Sequence, residues 1–236
     1  MPFTSLYLHM AFILGIETAT EVCSVALFSN QNLLALREWK EGNKHANELT
    51  TLIREVVKEA SISLNQLDAI CVSMGPGSYT GLRVGVSTAK GLCYTLNKPL
   101  IAVNTLESMA QVFVSNNPNY NGLVCPMIDA RRMEVYTALF NNKGEPVRET
   151  EAKIIDETSF AQDLQLGNIA FIGNGAEKCR EVIEHSNAQF YGDLRCSAVG
   201  LGKLAGEKFN AKQFEDVAYF EPFYLKDFVG TTPKKK

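Results

Sequence analysis

Metal and redox chemistry need convergent side chains, and this sequence offers almost none in pairs. Its three histidines, His9, His45 and His185, lie far apart and form neither HExxH nor any other close pair, so no metal site is expected in the chain. Six cysteines (Cys23, Cys71, Cys93, Cys125, Cys179, Cys196) are scattered, mostly in apolar runs, without a CxxC; buried, reduced thiols and a cytoplasmic location are the expectation. Positive charge is not in excess either. With 23 Lys+Arg against 26 Asp+Glu, the net charge of -3 excludes a broad basic surface that would hold nucleic acid unaided. Any RNA must be met locally or through another protein. No apolar run reaches the length of a membrane span, and the opening MPFTSLYLHMAFILGIETA lacks a basic start and is closed by Glu17, which argues against a signal peptide. Residues 1–9, ahead of Met10, read as a leader or an alternative start.

What is present is a sizeable core: 236 residues, 46% of them hydrophobic, are enough for one large domain or two lobes of about 100 residues each. The run AFILGIETATEVCSVALFSNQNLLALREWK reads as a meander of β segments with turns at 17–21 and 30–32. From Asn43 to Ala60, Leu49, Leu52, Ile53, Val56 and Val57 fall on one helical face. LDAICVSM is a buried-type strand that leads into GPGSYTG and a helix from about Thr80 to Asn97. KPLIAVN repeats the strand signal, and Asn104 with Glu107 predicts a capped helix over 105–115. After the polar SNNPNYNG, strands in GLVCPMIDA and MEVYTALF open a second half. A strand, Gly turn and helix follow in IAFIGNGAEKCREVIE, and a last helix lies in SAVGLGKLAGEKFN. Two halves of like order predict a duplicated α/β unit with lobes at 10–104 and 105–230, followed by a basic tail, 231–236, read as a solubilising end. A contact of that tail with nucleic acid is the lesser alternative.

The glycine turn admits two readings. Free N–H groups of Gly75, Gly77, Ser78 and Thr80 at a helix N-terminus could hold a phosphate, with Glu17, Asp129 and the second-half glycines Gly173 and Gly175 completing a cleft. Alternatively the glycines make a tight turn, Gly77 at positive φ, while Ser78 or Thr80 caps the helix. The phosphate motifs themselves fail: no lysine stands where GxxxxGK[ST] needs it, and Thr80 replaces the third glycine of GxGxxG. Ser78 is not in a GxSxG elbow, which removes the serine-hydrolase reading. The helix behind the turn carries small residues at Gly81, Gly85 and Ala89, a spacing that lets another backbone come close, and it has little polar surface. That stripe is expected to face a second chain.

ILGIETATEVCSVALF, HANELTTLI, SMGPGSYTGLRVGVSTAKGL, MIDARRMEVYTALF, FIGNGA and EPFYLK strongly resemble, in this order and over nearly the whole of 12–226, the bacterial TsaB (YeaZ) family. GPGSYTGLRxG is the most specific of these segments. The resemblance implies the two-lobed actin-like fold (ASKHA, ribonuclease H-like), α/β with a duplicated sheet. It also implies a non-catalytic scaffold role in making threonylcarbamoyladenosine at tRNA adenosine 37, with the catalytic subunit TsaD and the TsaE ATPase as partners and tRNA met through the complex. Pairing then uses the first-lobe helices, with His45, Glu48, Leu52, Glu55, Gly81, Arg83, Gly85 and Ala89 as interface residues; a homodimer is the alternative when TsaD is absent. No cofactor is expected on this chain alone, ATP or ADP and metal entering through the partners. Catalytic relatives carry an HxxxH pair where this chain has His45 followed by Glu48 and Leu49. Glu17 and Met133 replace the Asp and Gly of many relatives, which weighs against a nucleotide in the cleft. The competing function is an enzyme of the actin-like superfamily, an ATP-dependent kinase or a glycoprotease-like hydrolase.

Overall fold

The computed structural model describes residues 10–40 and 45–226. The leader 1–9, positions 43–44 of the expected first helix, the tail 231–236 and the side chain of His45 lie outside the described residues. β1 (Phe12–Glu17), β2 (Cys23–Ser29) and β3 (Asn32–Trp39) form an antiparallel meander, its second turn made by Asn30 at φ 56° and Gln31. α1 (His45–Glu59) and α2 (Tyr79–Leu96) then carry the chain to β4 (Ala69–Gly75) and β5 (Leu100–Asn104), which lie parallel to β1 and to each other. The strand order is β3-β2-β1-β4-β5. β1, β2 and β4 are apolar on both faces because both faces are covered. Leu49, Leu52, Ile53 and Val56 of α1 and Val86 and Ala89 of α2 pack on one side against Leu14, Val25 and Ile70.

The second sheet repeats the first. β6 (Leu123–Asp129), β7 (Glu134–Phe140) and β8 (Pro146–Ile154) form the meander, and β9 (Ile169–Ile172) and β10 (Ala188–Tyr191) are parallel, in the order β8-β7-β6-β9-β10. β1 meets β4 at Leu14↔Ile70, and β6 meets β9 at Val124↔Ala170, so the two parallel cores correspond strand for strand. This is the expected duplicated, two-lobed α/β arrangement. α3 (Thr105–Asn116), capped by the Asn104 side chain accepting from Leu106 N–H at 2.8 Å, packs on the second sheet against Val124, Ile128 and Ala170. α4 (Ala161–Leu166) and the four-residue α5 (Ala176–Cys179), shorter than the pattern predicted, lie on the sheet's other face.

α6 (Leu201–Asn210) corrects the lobe boundary. Its Leu201, Leu204 and Ala205 pack on Ile13, Phe28, Ile101 and Val103 of the first sheet, and Gly202 leaves the room that Phe28 fills. Residues 198–220 therefore return to the first lobe rather than continuing the second. Apolar burial outweighs chain order here, because the open face of the first sheet needs a cover. No helix among the described residues is long and apolar enough to cross a membrane.

Candidate functional site

The lobes meet along a cleft of about 650 Å³ built from four turns. Ala19–Glu21 follow β1, Pro76–Thr80 enter α2, Ile128–Arg131 follow β6, and Phe223–Lys226 close the near side. Of the expected cleft residues, Gly77, Ser78, Thr80 and Asp129 line it, and Glu17, Gly75, Gly173 and Gly175 do not. The Glu17 carboxyl is fully buried beneath the β1 turn. Its Oε1 accepts the Ala19 N–H at 2.6 Å and its Oε2 has no hydrogen-bond partner. Burial is the main reason its pKa rises to about 7, offset in part by the Ala19 N–H. It is an interior acid, withdrawn from any ligand in the cleft.

Close packing explains the glycine turn. A Cβ on Gly77 would lie 2.3 Å from the Ala19 carbonyl, which accepts the Ser78 N–H at 2.6 Å. Positive φ belongs to Gly75 (+116°) and not, as expected, to Gly77. The second lobe repeats the device: Gly173 has φ +99°, and Gly175 sits against the backbone of Met127, 3.0 Å from where its Cβ would be. Two of the donors at this helix start are engaged, Ser78 N–H by Ala19 and Gly81 N–H by the Ser78 hydroxyl at 3.3 Å. Asp129 is ion-paired with Lys178. Among the described residues no group of three His, Cys, Asp or Glu side chains is placed to hold a metal ion.

The small stripe of α2 turns inward, a correction to the sequence reading. Thr18 donates its hydroxyl to the Gly81 carbonyl at 2.8 Å, and Cβ atoms on Gly81 and Gly85 would fall 2.1 and 2.2 Å from Thr18 oxygens. Ala89 is 0% exposed, and Leu52 of α1 is buried beside it in the same core. These four positions leave no surface for another chain, because the β1 turn, distant in sequence, takes the close approach. Two of the expected charged interface residues, Glu55 and Arg83, have partners within the chain, as does Lys90. Glu55 pairs with Arg37 of β3 at 3.5 Å, and Arg83 donates to the Tyr224 hydroxyl at 3.2 Å while stacking on Tyr79. Lys90 donates to the carbonyls of Ala218 and Phe220 at 3.1 and 2.8 Å. Glu48 is half-buried.

Arg83 and Lys90 are the two charges of α2, and both are turned to the C-terminal segment. What α2 leaves open beyond the exposed Arg83 is an uncharged run, Ser87, Gly91, Tyr94 and Thr95, with Thr88 half-buried beside it. Tyr94 is 85% exposed, and a Cβ on Gly91 would meet nothing within 4 Å. Sequence reasoning missed these residues because it assigned the small side of the helix outward. The spacing of Ser87, Gly91 and Tyr94 in the same segment was the available signal.

Similarity to known proteins agrees with this architecture. The profile of the family described as TsaD, tRNA N6-adenosine threonylcarbamoyltransferase, matches residues 40–230. The tRNA threonylcarbamoyladenosine biosynthesis protein TsaB of Escherichia coli is 30% identical over 224 residues, covering 92% of this chain and 96% of that protein. A tRNA N6-adenosine threonylcarbamoyltransferase of Thermosipho melanesiensis is 27% identical over 191 residues, 74% of this chain and 58% of that protein. The solved structure of YeaZ from Pseudomonas aeruginosa superposes with a TM-score of 0.81 at 26% identity, covering 92% of this chain and all of that one. With a duplicated fold and near full-length similarity to its members, the chain belongs to the TsaB family of tRNA threonylcarbamoyladenosine biosynthesis proteins.

Proposed function

We propose that this chain is a non-catalytic scaffold subunit of the complex that forms threonylcarbamoyladenosine at tRNA adenosine 37. It binds and activates the TsaD catalytic subunit and helps to recruit the TsaE ATPase. The observation that carries the reading is the exposed, uncharged run of α2 that follows Arg83. Thr88, Gly91 and Tyr94 offer a helix-sized surface on which a second helix can seat closely at Gly91, with an aromatic anchor beside it. In the absence of TsaD the same stripe pairs two copies of this chain. ATP or ADP and metal are held by the partners, and tRNA is met through the assembly. The cytoplasm is where such a complex works, and the six buried thiols fit its reducing conditions.

Mixing the purified chain with TsaD and TsaE from the same organism, then measuring complex mass and modified tRNA, tests this reading. A stable complex with TsaD, and tRNA modification that needs all three proteins, supports it. ATP turnover by this chain alone, or full modification without it, contradicts it.

A further inference from the structure

We propose that residues 215–226 form a releasable latch that closes the inter-lobe cleft and holds the two lobes together. The segment starts at the edge of β5, where Glu215 N–H donates to the Leu100 carbonyl at 2.9 Å. It passes along α2, its Ala218 and Phe220 carbonyls gripped by Lys90. At the glycine turn Phe223 N–H donates to the Met74 carbonyl at 2.8 Å, and Tyr224 lies with its ring 4.9 Å from that of Tyr79 while Arg83 holds its hydroxyl. It then crosses to the second lobe, where Lys226 is ion-paired with Glu134 of β7. Gly75 is shaped for this path, since a Cβ there would stand 2.6 Å from the Phe223 carbonyl.

The same segment is the least embedded of the structured chain. No residue from 211 to 226 is buried and Tyr219 is 85% exposed; apart from Val217 and Phe220, which rest half-buried against the first core, the segment is fastened by polar and ring contacts at separate points. Regions with few buried apolar contacts open locally at far lower free energy than the sheets beneath them. Detachment therefore leaves both lobes folded. It removes Phe223, Tyr224 and Lys226 from the wall of the cleft, and it cuts the tie to Glu134. What then ties the lobes is α3, whose Thr105 hydroxyl meets that of Ser73 at 2.7 Å and whose Ser108 backs Gly200, with Asn174 donating to Glu21 at 3.0 Å across the cleft, so the lobes can pivot about α3 once the latch is open.

Hydrogen exchange on the full chain reads the latch directly. The Phe223 amide should exchange at least about 100-fold faster than the amides of Cys71 and Val72 in β4, as expected of a sub-global opening. Tyr224→Ala with Lys226→Glu should speed Phe223 exchange at least about 10-fold further while β4 amides stay unchanged, and Glu134→Lys should restore protection to Lys226→Glu. Because the six native thiols are buried, spin labels can be placed selectively at Lys58→Cys on α1 and Leu166→Cys on α4. Their distance distribution should be narrow in the otherwise native protein and broaden in the latch variant. Phe223 exchanging as slowly as β4 overturns the proposal, as does an unchanged distance distribution in a variant whose Phe223 has lost protection. Loss of β4 protection in the double variant also counts against it, because the latch would then be part of the cooperative fold.

Discussion

Replacing Glu17 by glutamine isolates the energetics of the buried acid at the end of β1. The carboxyl is fully buried, its Oε2 has no hydrogen-bond partner, and burial and hydrogen bonds alone set its pKa, with no cation contributing. Burial raises its pKa from 4.5 to about 7. At 1.36 kcal/mol per pKa unit, ionising it inside the fold costs about 3 kcal/mol. The sign follows from proton uptake: between these two values the folded chain holds a proton that the unfolded chain has lost. Stability is therefore complete below pH 4.5, falls as pH rises towards 7, and levels off above it. Glutamine keeps an oxygen for the Ala19 N–H and cannot ionise. Urea titrations at pH 5 and pH 8.5 should show the native protein losing about 2.5 kcal/mol more than Glu17→Gln between the two. Titration of Cys23, pushed up to about 12 by burial, lies outside this window. Equal pH dependence of the two proteins, within about 0.5 kcal/mol, would refute the reasoning.

Gly77→Val forces the Ala19 carbonyl, 2.3 Å from the new Cβ, to move, and should cost more than about 2 kcal/mol by denaturant titration; an unchanged midpoint removes the close-approach explanation. Gly81→Ala meets the Thr18 carbonyl at 2.1 Å and should destabilise by a similar amount, whereas Gly91→Ala, with open space around it in the same helix, should stabilise by up to about 1 kcal/mol. Equal effects at Gly81 and Gly91 would mean that the inward and outward sides of α2 are misassigned. Arg148→Ala removes a bidentate pair with Asp163 that is partly exposed at the Arg148 end, and its thermal unfolding should show a loss under about 1 kcal/mol.

Where apolar patterning is strong, the chain is legible. β1, β4 and α1 to α3 lie within one or two residues of where periodicity and capping place them, because each buries a continuous face. β8 has no comparable signal: PVRETEAKI alternates charges on a sheet edge and buries none of its residues fully. β10 and α5 have four residues each, too short for a periodic pattern. The inward turn of Gly81 and Gly85 depends on Thr18, and the return of α6 to the first sheet depends on Phe28; both are contacts between positions far apart in sequence. Spacing marked α2 as a helix that a backbone approaches closely. It could not say that the backbone was the chain's own. Likewise Glu17 reads in sequence as a residue at the mouth of a cleft, and only the Ala19 turn folded over it makes it an interior acid.

The scaffold account stands on the outer stripe of α2, and the affinity for TsaD measures it. Gly91→Arg and Tyr94→Glu each place a charge on a side of α2 that is open among the described residues, so the isolated protein should keep its fold and unfolding midpoint. In a complex that covers the stripe, the unpaired charge costs several kcal/mol, and calorimetric titration should show TsaD binding weakened at least about 100-fold. Glu149→Lys, on the exposed edge strand of the second lobe, should bind as the native chain does. Native affinity in both α2 variants would contradict the account.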